Sequence, residues 1–254
     1  AVLAAIFVIF LLVRPRPFMW LAASAGAVAA AAVFYAAGLS ATLSTKLFIQ
    51  NSLGLGALLG LICGILWAPE DRRRAFRVHF LQAVLLLIFA LVAWTLLDLS
   101  SAMWPTTFDG DVYAVSHTLG VNPAWWMYDL FQNQPWLKNL CKLIYDALPL
   151  AFAILFATAP SRPSIQTIDP TRAFLYCAAG GYALYNLFPV VGPIFVFNLN
   201  VPPPDPAEVL SQLGIINPSP PRNCMPSLHT AWSLLVVWLS RGLPRPIRLL
   251  TGIF

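Results

Sequence analysis

Long apolar stretches without a charged side chain constrain this protein more than any other feature of its sequence. Residues 18–45, 80–97 and 147–161 contain no Asp, Glu, Lys or Arg, and neither do residues 173–204 and 226–240. A helix that crosses a bilayer needs about 20 mostly apolar residues. Charged residues make up only 10% of the chain, whereas soluble domains contain about 25%. The sequence therefore predicts an integral membrane protein and excludes a soluble enzyme.

The apolar stretches suit helices, because the strands of a membrane barrel alternate polar and apolar residues over about 10 positions. We predict an all-α, polytopic transmembrane helical bundle with about seven or eight spans in this segment. The candidate spans cover residues 1–13, 18–39, 47–68, 78–98, 142–159, 173–190 and 226–240, with another beginning at 249–254. Both ends of the chain lie in apolar runs, so we expect the bundle to be incomplete at both ends.

The basic residues orient the predicted bundle, because cytoplasmic loops of membrane proteins concentrate Lys and Arg. One set of alternate connections holds only four basic residues, which are Lys46, Lys138, Lys142 and Arg222. The other set holds eleven, which are Arg14, Arg16, Arg72, Arg73, Arg74, Arg77, Arg162, Arg172, Arg241, Arg245 and Arg248. We therefore predict that loops 99–141 and 191–225 face the periplasm, the cell exterior or an organelle lumen. The net charge of +5 is then no evidence for a nucleic-acid partner.

The two outer loops differ in composition. Loop 99–141 is rich in Trp and Tyr, and Asn122-Pro123 predicts the start of a helix that runs to about residue 134. This helix either anchors the bundle at the membrane interface or forms a wall or lid for a lipid substrate. The many prolines of loop 191–225 exclude a continuous helix, although a short one is predicted from Asp205 to Gly214.

His229 lies at the outer start of the predicted span 226–240. An ionisable side chain in a span is a candidate functional residue, and the alternative is a histidine that is hydrogen-bonded to a neighbouring helix. A phosphate at this helix start would meet backbone N–H groups, the Ser227 hydroxyl, the Arg222 guanidinium and the imidazole. An imidazole titrates near neutral pH and can protonate a leaving oxygen. These residues therefore indicate phosphate chemistry.

The stretch Pro226-Ser227-Leu228-His229 resembles the second signature of the type 2 phosphatidic acid phosphatase superfamily. Its Leu form is common in the inositol-phosphorylceramide synthase-like, or inositolphosphotransferase, branch. The upstream stretch Tyr-Asn-Leu-Phe-Pro-Val-Val-Gly-Pro at 185–193 also looks like that branch.

The resemblance covers about residues 142–254 and implies a helical membrane enzyme that acts on lipid phosphates without a metal or other cofactor. It implies that Ser227 helps to hold the phosphate and that His229 protonates the leaving group.

Two of the family's signatures are missing from this sequence. The first, a Lys followed seven residues later by Arg-Pro, is absent. The third carries the nucleophilic His and a downstream Asp, one span after the second. Finishing the His229 helix, turning and crossing back takes about 37 residues, and only 25 follow His229. We therefore expect the nucleophile beyond residue 254.

The missing first signature leaves the phosphate in need of other cations. Lys142 and Arg222 are the best candidates on the outer side, and Lys138 and Asn223 are weaker ones. Lys142 has an alternative role in an ion pair with Asp146, four residues later on the same helix. Arg222 has an alternative role in extending to the lipid headgroups.

The sequence thus predicts three regions: N-terminal helices of unassigned role over 1–98, a Trp-rich interfacial loop over 99–141, and a phosphatase- or phosphotransferase-like membrane core over 142–254. We expect an enzyme that cleaves or transfers a lipid-linked phosphate at the extracytoplasmic face through a phosphohistidine intermediate. Its expected partners are a lipid phosphate substrate and membrane lipids. A transporter or channel, or a non-catalytic interaction bundle, is the alternative.

The predicted orientation is tested by labelling single cysteines in intact cells, in a variant that lacks the four natural cysteines. Cysteines at Asn133 and Gln212 are expected to react with an impermeant thiol reagent, because both lie in the predicted outer loops. A cysteine at Arg73 is expected to react only after the membrane is permeabilised. Labelling of Arg73 in intact cells, without labelling of Asn133, would reverse the orientation.

Overall fold

The computed structural model describes residues 2–39, 42–120, 123–158, 169–192, 222–225 and 227–252. Every regular element within these ranges is a helix, which confirms the predicted all-α class. The described helices are α1 (Val2–Leu12), α2 (Pro17–Ala36), α3 (Thr45–Trp67), α4 (Glu70–Met103), α5 (Asp109–Thr118), α6 (Pro123–Asn133), α7 (Pro135–Thr158), α8 (Pro170–Leu187), α9 (Leu228–Ser240) and α10 (Arg245–Thr251).

Four of the described helices, α2, α3, α4 and α7, are long and apolar enough to cross a membrane, and α1 and α9 are shorter apolar helices. The chain is therefore a membrane protein. The predicted spans 18–39 and 47–68 correspond to α2 and α3, and the span 78–98 lies inside the longer helix α4. The helix predicted after Pro123 is present as α6, whereas the short helix predicted from Asp205 to Gly214 lies outside the described residues.

Local sequence signals explain where several helices begin. Pro17 opens α2, where a missing N–H group costs nothing. The Ser44 side chain caps α3 by accepting a hydrogen bond from the Leu47 N–H group. Glu70 and Asp71 supply negative charge to the first turn of α4, which favours the positive end of the helix dipole.

The chain divides into two compact units, and the first comprises Ala1–Leu91, Asp146–Ala173 and Ser233–Phe254. In this unit α1 and α2 both pack against α3, which presents glycines to them. A Cβ atom at Gly56 would collide with the Ala23 backbone, and one at Gly60 would lie 2.6 Å from the Phe10 ring. Small residues allow helix backbones in membranes to approach closely, and this explains the glycines of α3.

A buried polar chain links α4 to α8 within the first unit. His79 Nδ1 lies 3.1 Å from Gln82 Oε1, and Gln82 Nε2 donates a hydrogen bond of 3.0 Å to Thr171 Oγ1. His79 thus has a packing role in the first unit.

The second unit comprises Val92–Tyr145 and Phe174–Trp232. It contains α5 and α6 and all six residues predicted to form the site. Two hydrogen bonds join α8 to the end of α4 and to the residue that follows it. Tyr182 Oη donates to the Leu96 carbonyl over 2.7 Å, and Trp104 Nε1 donates to Asn186 Oδ1 over 3.3 Å.

Candidate active site

Ser227 and His229 lie at the start of α9. The helix begins at Leu228, so His229 is its second residue and belongs to the first turn. Ser227 is the residue before the helix, and its Oγ accepts a hydrogen bond of 3.3 Å from the Thr230 N–H group. The Ser227 carbonyl accepts another of 3.0 Å from Ala231. Serine is favoured at this position because its hydroxyl replaces a missing backbone acceptor.

The first turn of α9 packs tightly on α8. The Leu228 N–H group donates a hydrogen bond of 3.2 Å to the hydroxyl of Tyr185, a buried residue. A Cβ atom at Gly181 would collide with the Leu228 side chain, so a larger residue there would require Leu228 to move. The N–H groups of Leu228 and Thr230 are thus both engaged within the protein. The sequence analysis predicted that N–H groups at this helix start would bind a phosphate.

Aromatic side chains surround the His229 imidazole, which is half-buried. The ring of Tyr145 on α7 stacks on it, with centroids 3.9 Å apart and planes 19° apart. The ring of Trp232 lies edge-on at 5.7 Å and 66°. Trp232 in turn stacks on Phe174 of α8 at 5.2 Å. No sequence signal had indicated Tyr145, because it lies far from His229 along the chain.

The two predicted lysine ligands lie on the helix that carries Tyr145. Because α7 begins at Pro135, before the predicted span start at residue 142, Lys138 is in its first turn. Lys138, Lys142 and Tyr145 are spaced by four and three residues, which places them on one face of the helix. Both lysines are exposed. The structure thus brings them to the same helix face as the ring that stacks on His229.

Arg222 has a different environment from the one predicted. Its side chain is fully buried, and its Nε donates a hydrogen bond of 3.1 Å to the Trp104 carbonyl. This burial contradicts the alternative in which the guanidinium extends to the lipid headgroups. Burial lowers the pKa of Arg222 below its ordinary value. The negative charge of Asp109 opposes this shift but has the smaller effect. The neighbouring Asn223 is half-buried.

Asp109 is a buried residue of the second unit that the sequence interpretation did not single out. Its side chain is only 3% exposed. Its two carboxylate oxygens accept hydrogen bonds from the N–H groups of Val191, over 3.0 Å, and Gly192, over 2.7 Å. Gly192 has a φ of +106°, a conformation that favours glycine. Asp109 thus fixes the chain after α8, in the stretch that resembles the inositolphosphotransferase branch.

Two backbone hydrogen bonds also join the segments around Asp109, Gly192 and Arg222. The Phe108 N–H group donates to the Pro189 carbonyl over 2.9 Å, and the Cys224 N–H group donates to the Val190 carbonyl over 3.0 Å. Burial, with the negative charge of Asp109 as a smaller cause, raises the pKa of the Cys224 thiol. Cys224 is therefore a neutral packing residue at neutral pH. The segment before α9 is thus held at Arg222 and at Cys224.

Replacing Asp109 by asparagine is expected to lower the free energy of unfolding by about 1–3 kcal/mol, the typical cost of leaving a buried polar group unsatisfied. An amide can accept only one of the two N–H groups and removes the charge that faces Arg222. Thermal unfolding of the purified protein measures the change. Asp111→Asn is the matched control, because Asp111 is an exposed residue in the same helical turn. Equal melting temperatures for the two variants would contradict this role of Asp109.

Comparison with known proteins gives one result. A sequence model described as the PAP2 superfamily matches residues 110–254, a region that begins in α5, earlier than the predicted start at residue 142. No curated protein and no solved structure matches the chain. The matched region covers more than half of the chain and includes Ser227 and His229. The chain therefore belongs to the PAP2 superfamily, whose members are phosphatases and phosphotransferases that act on lipid phosphates.

Proposed function

We propose that this membrane protein transfers a phosphate-bearing group from a lipid to an acceptor, with His229 as the general acid. The observation that carries the proposal is the position of His229 in the first turn of α9, with its ring held against Tyr145, inside the region that matches the family. A general acid needs a fixed orientation and access to the reacting atom. A half-buried imidazole at a helix start meets both requirements.

In the first chemical step, the nitrogen of a second histidine attacks phosphorus. The resemblance assigns this nucleophile to the family's third signature. The bond from phosphorus to the leaving oxygen breaks, and protonated His229 gives its proton to that oxygen. In the second step, the acceptor hydroxyl gives its proton to neutral His229 while its oxygen attacks phosphorus. The phosphorus–nitrogen bond then breaks, and both histidines return to their starting states.

The acceptor decides whether the enzyme is a phosphatase or a transferase, because water yields a free phosphate and an alcohol yields a new ester. Resemblance of residues 185–193 to the inositolphosphotransferase branch favours an alcohol. This stretch also supports the site. Tyr185 receives the Leu228 N–H group, and Asp109 receives the N–H groups of Val191 and Gly192. We propose an inositol phosphate group as the transferred unit.

Five residues are proposed to hold the phosphate, in different ways: Ser227, Asn223, Arg222, Lys142 and Lys138. The lysines are the solvent-exposed cations, and both lie on the face of α7 that carries Tyr145. Ser227 Oγ already caps α9 and can donate its own proton to a phosphate while it accepts from Thr230. Arg222 is buried, so it contributes through its charge and through the shape of the loop.

The site is proposed to face the periplasm, the cell exterior or an organelle lumen. The support is the uneven distribution of basic residues, of which eleven lie in the connections opposite to those that carry Lys142 and Arg222. A lipid substrate in the outer leaflet would then present its phosphate at the level of the first turn of α9.

His229→Ala is expected to lower lipid-phosphate turnover about 10²–10⁴-fold, the usual contribution of a positioned general acid. The assay uses full-length protein and two probes, phosphatidic acid with water and phosphatidylinositol with ceramide. His117→Ala is the control, because His117 is an exposed histidine of α5. Melting temperatures establish that both variants fold. Normal turnover by His229→Ala would refute the assignment, and no turnover of either probe by the wild type would refute the proposed reaction.

Lys142→Gln is expected to raise KM about tenfold or more and to leave the melting temperature unchanged, because a charge-assisted contact to phosphate is worth about 1.5–3 kcal/mol. Lys46→Gln is the control, since Lys46 is an exposed lysine at the start of α3. Arg222→Gln is expected to lower the melting temperature as well, because its side chain is buried. An unchanged KM in Lys142→Gln would remove Lys142 from the phosphate site.

A further inference from the structure

The stacking of Tyr145 on His229 has a geometry that packing alone does not require. Aromatic pairs usually have centroids about 4.5–7 Å apart, whereas these two rings are 3.9 Å apart and nearly parallel. Tyr145 is also 53% exposed, so its ring does not fill the interior of the second unit. An exposed aromatic ring that covers one face of a candidate catalytic imidazole restricts the positions that the imidazole can adopt.

The other neighbours of His229 are already fixed to α8. Leu228 is held by Gly181 and by the Tyr185 hydroxyl, and Trp232 is held by its stacking on Phe174. These contacts fix the backbone at the start of α9, but they leave the side-chain torsions of His229 to be set by its own contacts. A histidine side chain has several staggered rotamers of similar energy. A ring stacked on one face and a ring edge at another side select among them.

We propose that Tyr145 is a positioning residue for His229. Its ring, and not its hydroxyl, holds the imidazole in the rotamer from which the proton reaches the leaving oxygen. This inference rests on the proposed function of His229 as general acid. It assigns α7 two tasks, since the same helix face supplies Lys138 and Lys142.

The test compares Tyr145→Phe, which keeps the ring, with Tyr145→Leu, which removes it. In the full-length protein, Tyr145→Leu is expected to lower kcat about 10²-fold, the loss typical of a misplaced catalytic group, with KM unchanged. Tyr145→Phe is expected to retain the wild-type kcat. Tyr176→Leu is the control, because Tyr176 is a tyrosine of α8 that is 76% exposed. The substrate is whichever of the two lipid probes the wild type turns over.

Several outcomes would overturn the inference while the proposed function stands. Turnover that depends on His229 but is unaffected in Tyr145→Leu would show that the ring is not needed. An equal loss in Tyr145→Phe would assign the role to the hydroxyl, and a change in KM alone would make Tyr145 a substrate contact.

A readout that needs neither activity nor a folded Tyr145 variant completes the design. In wild-type protein with labelled histidine, the His229 ring protons should show cross-relaxation with the Tyr145 ring and an upfield ring-current shift. Tyr176→Leu should leave that shift unchanged. Absence of the cross-relaxation in the wild type would overturn the inference whether or not Tyr145→Leu folds. The absence of cross-relaxation would overturn the inference even if the wild type turned over neither lipid. Lack of turnover by itself refutes only the proposed reaction.

Discussion

The contact between Leu228 and α8 determines where the candidate acid lies. Gly181 has no side chain to obstruct Leu228. The Tyr185 hydroxyl accepts a hydrogen bond from the Leu228 N–H group. Both contacts act on the residue directly before His229, so a shift of α9 along α8 would move the imidazole by the same amount. Close packing of this kind has few alternative arrangements, because interiors are dense and respond to the loss of one methyl group. The stacking of Tyr145 depends on this fixed position.

Buried charge provides the second constraint on the unit that carries the site. Asp109 and Arg222 are both buried, and each satisfies part of its hydrogen-bonding capacity with backbone groups of other segments. Burying an ionised group is costly unless opposite charge and hydrogen bonds compensate. The segments around Asp109, Gly192 and Arg222 therefore stabilise one another. Loss of one partner would leave the other polar groups buried without compensation. A loop with many prolines acquires a defined start and a defined end in this way.

Much of the helical architecture could be predicted from the sequence, because charge-free apolar runs and Pro or Ser helix starts are local signals. The family was also accessible, since the four residues from Pro226 to His229 resemble its second signature. Asp109 and Tyr145 were not, because their partners are distant in sequence and no local pattern encodes the pairing; Asp109 and Gly192 are 83 residues apart. Arg222 was predicted to bind phosphate or to extend to the lipid headgroups, and its burial was not predicted, since sequence alone does not reveal a carbonyl and a carboxylate supplied by other segments.

Two N–H donors at the start of α9 are engaged within the protein, so the proposed phosphate site would depend on side-chain cations. The N–H groups of Leu228 and Thr230 are engaged by Tyr185 and Ser227, so α9 offers a phosphate its dipole field more than its hydrogen bonds. A field of about half an elementary charge does not balance the charge of a phosphate. The family's first signature would supply a lysine and an arginine, and this chain lacks that signature. Exposed lysines on the face of α7 that bears Tyr145 are suited to compensate, because the same helix then sets both the position of the acid and the position of the charge.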